Sequence, residues 1–126
     1  VRFDTGSLLI STLAIGTREG YRRFLKGMYA IGYAEGVAAD LEDLRAYDRS
    51  RILDEIDIQL QHQPTQETRH KKVLVGLVPP WEHVEPLWQL RVGEYRVFYD
   101  VNDAELVVIV RAIRHKPPHK ATEDIL

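Results

Sequence analysis

Two periodicities divide the chain. Between residues 37 and 60, apolar side chains recur every three or four positions: Val37, Leu41 and Leu44, then Ile52, Ile56 and Leu60. That spacing predicts two amphipathic helices with acidic outer faces. Asp48 stands as the N-cap candidate of the second helix, and the short break at 48–50 predicts that the two run antiparallel. From Leu87 onward the period is two. "LWQLRV" (87–92) and "YRVFYDV" (95–101) alternate apolar and polar residues, as half-buried strands do. Gly93-Glu94 would join them in a two-residue hairpin, setting Val92 opposite Tyr95 and Arg91 opposite Arg96. A third strand over 106–112, or a little beyond, holds the run "VVIV", which predicts a central strand covered on both faces. Asn102-Asp103 supplies the turn before it.

The remaining segments frame this core. "MYAIGYAEG" (28–36) reads as a short strand closed by glycine. "HQPTQETRHKK" (62–72) ends the second helix at Pro64 and continues as a polar, basic loop. In "VLVGLVPPWEHVEP" (73–86), Pro79-Pro80 and Pro86 are incompatible with a central strand, so an extended loop or edge segment is expected. The tail "HKPPHKATEDIL" (115–126) leaves the sheet at its prolines and closes with a short helix over 122–126. Residues 1–27 read as an extension of unknown role, with an apolar strand or short helix over 8–15 and a helix over 18–26 capped by Thr17. A domain of residues 28–126 follows. Its element order is strand, two helices, then a three-stranded antiparallel meander sharing one sheet with the first strand, an α+β fold of two layers.

Composition narrows the chemistry. A 14.6 kDa chain of 126 residues, 44% hydrophobic and 29% charged, can build a core without staples. It has no cysteine, which excludes disulfides, a thiol nucleophile and thiolate metal sites, and suits a cytoplasmic setting. No run approaches the roughly 20 apolar residues of a membrane span. "SLLISTLAIG" (7–16) lacks the flanks of an export signal. Net charge is −2, yet it is unevenly placed: nine acidic against three basic residues over 35–67, then nine basic against six acidic over 69–120. A local basic patch, not the sum, governs attraction to phosphate.

The tyrosine-bearing first strand, "ADLEDL", "RILDEIDIQLQHQPTQETRHKK", the hairpin "LWQLRVGEYRVFYDV" and the closing "VVIVRAIRHKPPH" resemble, in this order, the RelE/ParE superfamily of type II toxin–antitoxin toxins over about 28–126. The hairpin is the most specific of these segments. The resemblance implies a small toxin held inactive by a cognate antitoxin, with any contact to operator DNA made through that antitoxin. RelE-like members cleave mRNA, commonly on the ribosome; ParE-like members share the fold but poison DNA gyrase. No cofactor or metal is implied. His115 and His119 are four apart, but Pro117-Pro118 breaks the helix that a metal pair would need.

Metal-free RNA cleavage requires a deprotonated 2′-OH, a stabilised phosphorane and a protonated leaving oxygen. The resemblance assigns Arg96 and Arg91 to the phosphate, since guanidinium binds phosphate bidentately. It assigns His115 and Lys116 to proton transfer or the leaving group, and Arg69, His70, Lys71, Lys72 and Arg114 to the RNA backbone. The bland alternative for the two hairpin arginines is a wet face, paired with acids such as Glu94 or Asp100. Trp88, Tyr95 and Tyr99 could stack on bases, but core or antitoxin contact is the reading favoured for Trp88. RelE enzymes also carry a C-terminal tyrosine near the scissile phosphate and lysines on the strand before the hairpin. Here the tail "ATEDIL" has no tyrosine, and the aligned strand reads Leu87-Trp88-Gln89.

Overall fold

The computed structural model describes residues 2–3 and 28–126; the elements expected over 8–15 and 18–26 lie outside the described residues. Strands β1 (Arg2–Phe3) and β2 (Ala30–Tyr33) are followed by helices α1 (Val37–Glu42) and α2 (Ala46–Leu60). Four strands come next: β3 (Lys71–Leu74), β4 (Leu87–Val92), β5 (Tyr95–Asn102) and β6 (Val107–His115), and a 3₁₀ turn at Thr122–Asp124 ends the chain. Among the described residues these strands form one sheet in the order β1-β2-β6-β5-β4-β3. The first domain strand, β2, joins the meander by pairing parallel to β6, and the other contacts are antiparallel. The expected α+β sheet is therefore extended by an edge strand on each side.

The helices cover one face. Val37, Ile52, Ile56 and Leu60 are fully buried against Trp88, Leu90, Val92, Val97, Tyr99, Val108 and Val110. The i, i+4 stripe of α2 thus meets the odd positions of β5 and the even positions of β4. The opposite face has its own smaller cluster. Leu74, Leu87, Phe98 and Ala112 lie beneath Trp81 from the proline-rich loop and Ile125 and Leu126 from the tail. Within "VVIV", on the central strand β6, Val108 and Val110 pack under the helices, while Val107 and Ile109 line a hollow with Val84, Asp100 and Arg111 outside that smaller cluster.

Local details differ from the sequence expectation. The break between helices falls at Asp43–Arg45, because Arg45 is extended (φ −63, ψ 152) and serves as the N-cap. Asp48 sits inside the first turn, near the positive helix end, and accepts from Arg45 Nε at 3.1 Å. Carbonyls at the end of α2 and in the segment just after it are met from several elements. Lys71 Nζ donates to Gln59 O (3.1 Å) and Gln63 O (2.7 Å), Tyr29 N to Gln61 O (2.6 Å), and Tyr99 Oη to Pro64 O (2.6 Å).

The hairpin turns as expected, with Val92↔Tyr95 and Arg91↔Arg96 in register. Gly93 has φ +58, and a Cβ there would come within 2.9 Å of the Arg51 guanidinium. Between Phe98/Tyr99 the β5–β6 register shifts, leaving Arg111 as an extra residue on β6. Arg111 Nε donates to Asp100 Oδ2 at 2.7 Å, with side chains only 7% and 6% exposed, and Val84 N donates to the same oxygen at 2.8 Å.

Tyr29 Oη donates to Asp103 Oδ1 at 2.7 Å, tying the start of the domain to the β5–β6 loop. That bond, then burial and the Asp103 charge, push the phenol from 10.0 up to about 12. The unfolded chain therefore loses this proton first. Native stability falls as pH rises from about 10 towards 12, and Tyr29→Phe lacks that part of the fall. Urea midpoints of the two proteins across this range check it: the advantage of Tyr29 should shrink with pH.

Candidate anion-binding groove

Strand alternation decides which cations share a face. Trp88, Leu90 and Val92 turn to the helices, so Gln89 and Arg91 turn away from them. On β5, Tyr95, Val97 and Tyr99 turn to the helices, while Arg96 and Phe98 turn away. On β3, Lys71 sends its ammonium to the end of α2, so His70 and Lys72 lie on the other side. The pairing then builds two rows across that face. Lys72, Gln89, Phe98 and Ala112 stand in one; Arg91, Arg96 and Arg114 stand in the next, continued by His70, whose carbonyl accepts from Arg91 N at 2.7 Å.

A groove of about 330 Å³ opens over the near end of these rows. Thr68, Arg69, His70, Lys71, Lys72, Gln89, Arg91, Arg96, Lys116 and Thr122 line it, and no carboxylate is among them. Arg96 forms its floor, 7% exposed. Its Nη1 donates to Gly93 O at 2.8 Å and Tyr95 O at 2.9 Å, which fixes the guanidinium at the base of the hairpin turn. Burial first, and the Arg91 charge second, lower its pKa from the ordinary arginine value. Neither Arg91 nor Arg96 has a carboxylate partner among the described residues. Asp100, one acid considered for that role, belongs to Arg111, and Glu94 approaches His115 at 3.8 Å. Two guanidinium groups facing each other across a strand pair are unfavourable without an anion.

The site residues expected from the sequence separate into three groups. Arg69, His70, Lys72, Arg91, Arg96 and Lys116 are brought together. Lys71 touches the groove but is buried, burial lowering its pKa, and its ammonium is committed to carbonyls of the α2 end. It holds the start of β3 in place where a loop lysine free for phosphate was expected. Arg114 reaches past the edge of β6 to Asp40 Oδ2 at 3.0 Å, an oxygen that also accepts from Ile113 N.

His115 lies on the helix side, opposite Tyr95 with ring centroids 5.3 Å apart, beside Asp48 and Arg51. Strand parity thus sets it on the face opposite Arg96, in a hollow that Arg91 also lines. Replacing His115 by Ala should leave growth arrest on induction intact, whereas loss of arrest in a folded variant would return it to the site. Trp88 and Tyr99 pack in the core, stacked at 6.3 Å, as favoured for Trp88, and are not available to bases. The strand before the hairpin is β3, and it does carry lysines, Lys71 and Lys72.

Sequence reasoning missed Gln89 and Thr122. Gln89 is two residues from Arg91, so alternation could have placed it; Thr122 Oγ1 contacts Gln89 Oε1 at 3.4 Å only because the tail folds back.

Residues 31–116 match the model of the family described as ParE toxin of type II toxin–antitoxin system, parDE. The chain belongs to this toxin family. Its fold is also that of solved RelE-type structures. The archaeal RelE–RelB complex of Pyrococcus horikoshii OT3 is 26% identical, with a TM-score of 0.56 over 75% of this chain and 99% of that one. The RelBE2 toxin–antitoxin complex of Mycobacterium tuberculosis is 20% identical, with a TM-score of 0.53 over 71% and 99%. No curated protein matches. The groove of this toxin is therefore set on a RelE/ParE fold, and no helix among its described residues is long and apolar enough to cross a membrane.

Proposed function

We propose that this toxin is a metal-independent endoribonuclease that cleaves mRNA, on the ribosome or free, and so inhibits translation. The observation that carries the reading is the Arg91–Arg96 pair, opposed across β4 and β5 in a groove with no carboxylate among its described lining residues. Arg96 and Arg91 stabilise the phosphorane as its charge grows, Lys116 supplies positive charge at the leaving oxygen, and Arg69 and Lys72 hold the backbone. A positioned donor of this kind contributes roughly 3–4 kcal/mol to the transition state. A cognate antitoxin masks the same basic face with an extended or helical acidic segment.

A second reading, a ParE-like gyrase poison without nuclease activity, is favoured by the family whose model matches. Primer extension on mRNA after induced expression separates the two. Discrete new 5′ ends with intact DNA are the expected result. Intact message with DNA damage would establish the second reading instead.

A further inference from the structure

The proposed reaction needs a group that takes the 2′-OH proton. Arg69, Lys72, Arg91, Arg96 and Lys116 are cations, and a cation has no lone pair to accept it. His115, expected in that role, is on the other side of the sheet. Of the five histidines in the chain, His70 is the one that lines the groove. Its main chain is fixed from two sides: His70 N donates to Thr68 Oγ1 at 3.1 Å, and His70 O accepts from Arg91 N at 2.7 Å. The anchoring of Lys71 to the α2 end sets the parity of β3, which turns His70 onto the groove face beside Arg91. Directly opposed positions on neighbouring strands are about 4.5–5.5 Å apart, so a phosphate seated between Arg91 and Arg96 brings its ribose within reach of this exposed imidazole.

Resting on the reading of the toxin as an endoribonuclease, we infer that His70 is its general base. An imidazole nitrogen of His70 takes the 2′-OH proton as the 2′-oxygen attacks phosphorus. The bond from phosphorus to the 5′-oxygen breaks, and the departing oxygen takes a proton from the Lys116 ammonium. The products are a 2′,3′-cyclic phosphate and a 5′-hydroxyl, and solvent then removes the proton from His70 and returns one to Lys116. Imidazole suits this task because a neutral ring nitrogen carries the lone pair that the surrounding cations lack.

The test uses the full chain in an in vitro translation reaction, with primer extension on the template, which registers ribosome-dependent and free cleavage alike. Binding is measured separately with a 2′-O-methyl RNA oligonucleotide, which cannot be cleaved. His70→Gln should cut at least about 10²-fold more slowly while its affinity for that oligonucleotide stays within about threefold of wild type. His70→Ala should regain measurable cleavage on addition of free imidazole. The exposed side chain makes folding of both variants straightforward to verify by thermal unfolding. Cleavage by His70→Gln within about tenfold of wild type overturns the assignment, since general-base catalysis contributes more than that. A loss of cleavage matched by an equal loss of binding also overturns it, leaving His70 as a phosphate contact. If the wild type itself leaves the message intact, the endoribonuclease reading fails, and the role of His70 with it.

Discussion

Replacing Arg96 by Ala is expected to abolish growth arrest on induced expression and to slow the proposed mRNA cleavage about 10²–10³-fold. The size of the effect follows from where the side chain stands. Arg96 is 7% exposed on a central strand, and Nη1 is bonded to Gly93 O and Tyr95 O. Its fork is therefore held before any substrate arrives, so little reorganisation accompanies the reaction. Stability should change little, because relief of a charge opposed to Arg91 is offset by the loss of the bonds to Gly93 O and Tyr95 O. Arg96→Lys should not restore activity, since an ammonium cannot reproduce two parallel bonds to phosphate. Toxicity, cleavage and thermal unfolding of the same variants keep the two effects apart. Undiminished toxicity of Arg96→Ala would remove Arg96 from the site.

The largest loss of stability is expected at the other end of that face. Asp100 and Arg111 form an ion pair whose side chains are 6% and 7% exposed, and Asp100 also accepts from Val84 N. Asp100→Ala strands a guanidinium in the interior and releases the proline-rich loop, at a cost of about 3–5 kcal/mol. Arg111 is buried because the β-bulge inserts it into β6, so it cannot easily swing out to water. Removing both charges in Asp100→Leu/Arg111→Met should recover much of the loss, because a buried pair is weak in net terms and costly only when broken. Urea unfolding of the single and double variants decides the point. A single variant as stable as wild type would show that the pair does not clamp the loop.

The hairpin was legible because two constraints agree. A two-residue turn at Gly93-Glu94 sets the pairing, and the alternation in "WQLRV" and "YRVFY" sets the faces. The helices were legible from Ile52, Ile56 and Leu60, though their boundary was not, since the cap is set by the backbone of Arg45. The basic runs misled for one physical reason. Consecutive residues on a strand point to opposite faces, so Lys71 and His115 turn to the helix side while Lys72 and Lys116, beside them, stay in the groove. That β3 begins at Lys71 and β6 continues to His115 depends on long-range pairing with β4 and β5, which local pattern does not contain. Parity then places Lys116 in the groove and sends His115 to the helices. The same parity diverts Lys71 to carbonyls of Gln59 and Gln63. The bulge at Arg111 has no sequence signal at all.

The most direct measurement of the central claim is the salt dependence of binding to a 2′-O-methyl RNA oligonucleotide. Each phosphate neutralised on a single strand contributes a slope of about −0.7 in log affinity against log salt, so removing Arg91 and Arg96, which share one phosphate, should flatten the slope by about 0.7. Tight, salt-sensitive binding is expected of the wild type, and that flatter slope of the Arg91→Ala/Arg96→Ala variant. A wild type that does not bind RNA, or a double variant with the same slope, would contradict it.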